Sequence, residues 1–327
     1  MRRRDFLVLA GGIAVVQPRS SLAQVPGNRP LIGYFAGGKR AIVADLVDAF
    51  QQGLRELALV EGDNVNIVYR FAEAHPERLP RLAKELVELN PTVILAGAVD
   101  TTVTLRNLTT TIPIVSPALA DAIQLGLVST MARPGGNVTG ITPYIAGLPA
   151  KQLEIAREIV PGATVIGVLG NMGDPKAPPQ LHELETAAPT VEAKIVAVDI
   201  HGEDELPTAV EQLIGEAVQV IIVLQTTMLL SLRKQIAAVL EAKRLPAVFG
   251  YQQHVLDGGL ISYGVDLRWC FHRAATYIYK ILNGARPGDL PVEFPTKIQM
   301  VVNLKTAQAL GIAMPQSILA RADEVIE

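Results

Sequence analysis

The sequence has one cysteine, Cys270, in 327 residues. A lone thiol excludes an intrachain disulfide framework and a cysteine-based zinc site. Aromatic residues make up 5% of the chain, too few for base-stacking platforms, and a net charge of −3 leaves no basic footprint for nucleic acid. The histidines, His75, His182, His201, His254 and His272, show no metal-ligand spacing. A Gly-x-Ser-x-Gly elbow for a serine hydrolase is missing. Beyond the first residues no apolar run approaches the roughly 18 needed to span a bilayer. What is plentiful is core material. Hydrophobic residues are 49% of the chain, and its length suits one large domain or two of about 130–150 residues.

The N-terminus has its own pattern. Arg2, Arg3 and Arg4 precede an apolar stretch from Phe6 to Val16, which is too short to cross a membrane of about 30 Å as a helix. Ser21-Leu22-Ala23 then supplies small residues for a signal peptidase. Residues 1–23 are therefore predicted to be a cleaved signal peptide, and the mature protein to be periplasmic. Arg3-Arg4-Asp5-Phe6-Leu7 also fits the twin-arginine export motif, so Sec and twin-arginine routes both stay open. With no Cys after the apolar stretch, no lipid anchor is expected. Cleavage would remove four arginines and one aspartate, leaving a net charge of −6.

From Pro30 onward, strand-like and helix-like segments alternate, and the pattern occurs twice. Leu31-Ile32-Gly33-Tyr34-Phe35 has a counterpart in Val165-Ile166-Gly167-Val168-Leu169. Ile112-Pro113-Ile114-Val115 has one in Leu245-Pro246-Ala247-Val248, and Gly135-Gly136-Asn137-Val138-Thr139 in Gly258-Gly259-Leu260-Ile261-Ser262. Gly33 and Gly167 are 134 residues apart, and Pro113 and Pro246 are 133 apart. Such an offset indicates two similar lobes rather than a solenoid of short repeats. The short apolar runs suit parallel strands buried on both faces. The predicted fold is α/β, with two doubly wound parallel-sheet lobes joined by a hinge of short crossings. The first lobe is expected over 29–141 plus 264–297, and the second over 142–263 plus 298–327. Gly140, Thr142 and Gly264 are the hinge candidates. Leu267 to Leu282 has one apolar helical face ended by Asn283-Gly284. Ile298 to Val302 reads as a late strand making the third crossing, and the remainder as short helices.

In doubly wound sheets ligands bind beyond the carboxyl ends of the strands. Facing lobes place two such edges on one cleft. The expected ligand contacts in the first lobe are Tyr34, Phe35, Gly97, Ala98, Ser116, Pro117 and Asp121. In the second they are Asn171, Gln225, Thr226, Tyr251 and Tyr263, with Asp266 close by. Free N–H groups at Ser116–Ala118 and Gln225–Thr227 would take a carboxylate, and Asp121 an amine. Asp121 and Asp266 have a second reading as caps of helices starting at Ala122 and Leu267. Gly33 to Lys39 fits a P-loop until Arg40, where a hydroxyl should bind Mg²⁺. Cys270 falls on an apolar helix face and reads as a core thiol. Asp100, Asp121 and Asp266 keep a glycosidase-like carboxylate pair open as an alternative. No metal or cofactor is expected.

Several motifs resemble a known family. They are the opening Arg3-Arg4-Asp5-Phe6-Leu7, Ala132-Arg133-Pro134-Gly135-Gly136-Asn137-Val138-Thr139-Gly140, and Gly258-Gly259-Leu260-Ile261-Ser262-Tyr263-Gly264-Val265-Asp266. Ala285-Arg286-Pro287-Gly288-Asp289-Leu290-Pro291-Val292-Glu293 and the ending Arg321 to Glu327 complete the set. Together they resemble the periplasmic substrate-binding proteins of ABC transporters that include tryptophan- and other aromatic amino-acid-binding members. The resemblance implies a type I periplasmic-binding fold with three crossings, a monomer, and an inner-membrane ABC permease as partner. It departs at Asp121-Ala122-Ile123, where members have Asp-Pro-Val. It departs again at Gly250-Tyr251-Gln252-Gln253, where members often have Gly-Ser-Arg-Glu. The expected function is capture of an amino-acid-like or carboxylated molecule for import, with a sugar as the alternative ligand and a cleft hydrolase as the more remote one.

Overall fold

The computed structural model describes residues 29–143, 145–296 and 298–327. The signal-peptide expectation lies outside them. The first sheet collects strands β1 (Leu31–Ala36), β2 (Asn66–Phe71), β3 (Val93–Ala96), β4 (Ile114–Ser116) and β5 (Val138–Gly140) in the order β2-β1-β3-β4-β5. All its pairings are parallel. Helices α1 (Ala44–Glu56), α2 (Leu79–Glu88) and α3 (Val99–Arg106) supply the crossovers. Strand alternation sorts the core: Ile32, Tyr34 and Ala36 face α1, while Phe35 packs with Leu82 and Leu86 of α2.

The second half opens with α4 (Leu148–Ile159) and repeats the winding through β6 (Val165–Gly170), α5 (Ala177–Ala187), β7 (Lys194–Asp199), α6 (Leu206–Gly215) and β8 (Val220–Val223). It continues through α7 (Thr227–Ser231), α8 (Arg233–Ala242), β9 (Ala247–Phe249), α9 (Gln252–Leu256) and β10 (Ile261–Val265). Its strand order, β7-β6-β8-β9-β10, copies that of the first sheet. The repeated half is thus visible in the topology.

The chain passes between the sheets three times. After β5 it crosses to α4. After β10 it returns through α10 (Leu267–Leu282), which packs along α1 with Phe271, Ala274 and Ile278 in the first core. Gly53 permits that close approach, because a Cβ there would meet the His272 carbonyl oxygen at 2.5 Å. After Glu293 the chain crosses again to β11 (Ile298–Asn303), followed by α11 (Leu304–Leu310), α12 (Gln316–Leu319) and β12 (Glu324–Ile326). The second sheet becomes seven-stranded, with β11 antiparallel to β10 and β12 on its edge. Two local expectations change here. Ile298 to Val302 is a strand of the second sheet rather than the crossing, which precedes it. The tail also ends in a strand, not only in helices. Among the described residues no helix is long and apolar enough to cross a membrane.

Gly140 and Gly264 occupy equivalent places, on the last strand of each winding. A Cβ on Gly140 would collide with the carbonyl oxygen of Ser116 on β4, and one on Gly264 with that of Gly250 after β9. Gly140 also has φ +150, a region that side chains rarely adopt. The first and third crossings are tied together: Glu293 N–H donates to Gly140 O at 3.0 Å, and Thr142 N–H to Glu293 O at 3.0 Å.

Candidate ligand-binding site

The loops after β1, β3 and β4 face those after β6, β8 and β9 across a cleft. Its inner part is walled by Tyr34, Ala36, Val43, Leu46, Gly97 and Ala98 from the first lobe. Lys176, Thr226, Thr227, Leu230 and Tyr251 close it from the second, and Leu267 and Phe271 from α10. A wider outer part, about 440 Å³, shares Gly37, Gly38, Thr227 and Ser231 with it and reaches Glu73, Asp100, Asn171, Asp174 and Glu203.

A charged cluster sits where the two parts meet. Lys176, just before α5, has 4% of its side chain exposed, and its Nζ lies 3.5 Å from Asp174 Oδ2. Asp174 is fixed by its own loop, accepting from Lys176 N–H at 3.0 Å and from Thr227 N–H at 2.9 Å. Asp100, in the first turn of α3, approaches from the other lobe; its Oδ1 accepts from Thr101 N–H at 2.7 Å. Gly37 leaves room for that carboxylate, since a Cβ would lie 3.0 Å from Asp100 Oδ2.

Burial sets the electrostatics of this cluster. Burial alone would push the Lys176 ammonium down, but the Asp174 carboxylate, with Tyr251 and Asp100, outweighs it and holds Lys176 well above the usual lysine value. Burial raises Asp100, and the nearby Lys176 ammonium only partly offsets this. Asp121 is raised by partial burial and then by the Asp174 charge, which places its carboxyl within electrostatic reach across the cleft. Burial also pushes the Tyr251 hydroxyl up, against the pull of Lys176. Two carboxylates, Asp174 and Asp100, therefore act on one ammonium, with Asp121 facing Asp174.

Of the residues expected from the sequence, Tyr34, Gly97, Ala98, Thr226 and Tyr251 line the inner cavity, and Asn171 the outer. Phe35 faces the opposite side of β1 and is buried in the core there. Ser116 is buried at the end of β4, and its Oγ accepts from Ala118 N–H at 3.3 Å. Pro117 follows it, buried and without an N–H. Gln225 is buried scaffold: its N–H donates to Gln180 Oε1 at 2.9 Å and its Nε2 to Gly250 O at 2.7 Å. Tyr263 lies half-buried on β10, where its carbonyl accepts from Gln152 Nε2 at 2.8 Å. Asp266 caps α10, accepting from Arg268 N–H at 2.8 Å and Trp269 N–H at 3.2 Å. Asp121 caps no helix, because residues 121–127 form turns and Asp121 itself has φ +47.

The donors expected to be free are in use. Gln225 N–H is bound as above, Thr226 N–H donates to Leu224 O at 3.0 Å, and Thr227 N–H goes to Asp174. The loops thus satisfy themselves, and Lys176 is the buried cation left to meet an anion. Lys176 and Asp174 were outside the expected set, although the position of Lys176 between β6 and the Ala177-Pro178-Pro179 helix start marks a cleft edge. Among the described residues no group of three or more His, Cys, Asp or Glu side chains is placed to hold a metal. Cys270 is buried, and burial raises its thiol.

Two parallel-sheet lobes, three crossings and a charged cleft between carboxyl edges define a type I periplasmic-binding architecture. Residues 42–326 match the model of the ABC transporter substrate binding protein family, and the chain belongs to that family. A curated relative, the tyrosine-binding protein of Clostridioides difficile (strain R20291), is 26% identical over 263 residues, covering 80% of this chain and 75% of that protein. A crystal structure of an ABC domain in complex with L-Trp from Streptococcus pneumoniae superposes with a TM-score of 0.84 at 24% identity, covering 91% of this chain and 100% of that one. A conserved domain protein from Vibrio cholerae superposes with a TM-score of 0.85 at 26% identity, with the same coverage.

Proposed function

We propose that the protein is the extracytoplasmic binding component of an ABC importer and captures an amino acid between its lobes. The mature chain in this reading begins at Gln24. The observation that carries the ligand class is the buried cluster of Asp100, Asp174 and Lys176, with Asp121 within reach. Carboxylates from both lobes offer partners to an ammonium group, and Lys176 offers one to a carboxylate. A charge-assisted bond to a buried partner contributes about 1.5–3 kcal/mol. A neutral polyol would leave this cluster with no new charge to meet. Tyr34, Leu46 and Tyr251 cover the apolar part of the ligand. The tyrosine- and tryptophan-binding relatives support the same class.

A thermal-shift screen over amino acids, sugars and small organic acids tests this. A ligand at about 100 times its dissociation constant stabilises the fold by about 2.7 kcal/mol. Amino acids, the aromatic ones foremost, are expected to raise the unfolding midpoint. A sugar as the sole binder would overturn the ligand class, and chemical change of the bound compound would revive a hydrolase.

A further inference from the structure

Tyr34 presents a problem that the ligand class leaves unsolved. It lines the inner cavity, its side chain is fully buried, and its hydroxyl has no hydrogen-bond partner among the described residues. The ring cannot swing away, because Phe50, Tyr69 and Phe71 hold it with ring centroids 5.9, 5.5 and 5.7 Å distant. The neighbours with polar tips are engaged elsewhere. The Tyr69 hydroxyl bonds Gln51 at 2.8 Å and Glu61 at 3.0 Å. Asp45 Oδ2 accepts from Gln253 Nε2 at 3.3 Å. The cavity it lines is mostly apolar, with Val43, Leu46, Leu267 and Phe271, and its polar members Thr226, Thr227, Ser231 and Tyr251 make no hydrogen bond to the Tyr34 hydroxyl. A buried hydroxyl without a partner is costly, and phenylalanine would fill the same space without that cost.

We infer that Tyr34 is a specificity-determining residue whose hydroxyl pairs with a polar group at the far end of the ligand's side chain. The inference rests on the amino-acid reading of the cleft. The ammonium and carboxylate meet Asp100, Asp174 and Lys176 where the inner and outer parts join, and the side chain then points inward along apolar walls. It ends at the unpartnered Tyr34 hydroxyl. The side chain that suits these walls is mostly apolar, with one donor or acceptor near its tip, such as a phenol or an indole. A pure hydrocarbon ring leaves the Tyr34 hydroxyl buried and unmatched, and sites built for a polar contact discriminate against such ligands.

Calorimetric titration of the wild-type protein and Tyr34→Phe with L-tyrosine, L-tryptophan and L-phenylalanine tests this. Wild-type protein is expected to bind tyrosine or tryptophan at least about 10-fold more tightly than phenylalanine, the size of one net hydrogen bond. Tyr34→Phe is expected to erase that preference while its ligand-free unfolding midpoint stays unchanged or rises. A merely structural hydroxyl would leave the ratio as it was. Phenylalanine binding as tightly as the other two in wild-type protein, or an unchanged ratio in Tyr34→Phe, overturns the role of Tyr34 and leaves the amino-acid reading intact. Failure of all three to bind, with another class of compound binding instead, overturns both.

Discussion

Lys176 is a buried cation in a cleft of carboxylates, and it shows how one residue can set the polarity of a site. Its stem is enclosed by both lobes, so its charge is tolerated only because Asp174, Tyr251 and Asp100 surround it. Removing one partner of a buried pair is costly, since the other charge stays buried and uncompensated. Lys176→Met is therefore expected to destabilise the protein by about 3–5 kcal/mol, read by urea unfolding at neutral pH. Lowering the pH should shrink the penalty, because burial holds Asp100 above the ordinary carboxylate range and it protonates early. The same penalty at all pH values would show that no carboxylate depends on Lys176. Little of this was legible in the sequence. Asp100 stood out only as one acid among several, and nothing local distinguishes a buried Lys176 from the solvated Lys39 on the matching loop of the other lobe. The difference is made by the opposite lobe, which no local pattern encodes.

At the scale of elements the sequence spoke more clearly. The spacing of Leu267, Cys270, Phe271, Ala274, Ile278 and Ile281 defines the buried face of α10, and Asn283-Gly284 ends it as expected. The alternating halves, with Gly33 and Gly167 at equal places, pointed to the repeated α/β winding that both sheets show. What escaped was short or held by distant partners. The strand β12 has two of its three residues exposed and exists because it pairs with β11. Residues 121–127 carry a helix-like pattern yet turn, with Leu119 N–H bound to Ile141 O and the chain reversed at Asp121. Asp266 shows how an element-scale role competes with a site role. Its carboxylate holds two N–H groups of the first turn of α10 and also accepts from Gln252 Nε2 of α9 at 3.1 Å, so its oxygen is engaged within the protein. Asp266→Ala is expected to cost about 1 kcal/mol of stability, the usual value of an N-cap. Affinity for an amino acid should be unchanged in calorimetry, and a tenfold loss in a folded variant would return Asp266 to the site.

The two lobes meet in this structure as a closed pair. Leu230 and Tyr251 of the second half pack into the core cluster of the first. Gln253 Nε2 donates to Asp45 Oδ2 across the cleft at 3.3 Å, and a Cβ on Gly38 would lie 3.5 Å from Ser231 Oγ. We propose that ligand enters and leaves through an open form in which these contacts are broken. In this proposal the joints are the three crossings. Arg273 holds Glu293 by two hydrogen bonds of 2.8 Å, and the Glu293 backbone holds Gly140 and Thr142, so the first and third crossings move as one strap. A ligand drives closure only through its greater affinity for the closed form, and moving the population from 1:99 to 99:1 takes about 5.5 kcal/mol of difference. In this proposal the charged cluster supplies such a difference, because closing the lobes brings Asp100 to Lys176 and Asp174. Small-angle scattering is expected to give a larger radius of gyration for the ligand-free protein, and a decrease when the amino acid found by screening saturates it. In Asp100→Asn the ligand should bind more weakly and more protein should stay open at the same ligand concentration. An unchanged radius at saturation in wild-type protein would show that capture proceeds without closure, and would remove the hinge role from the crossings.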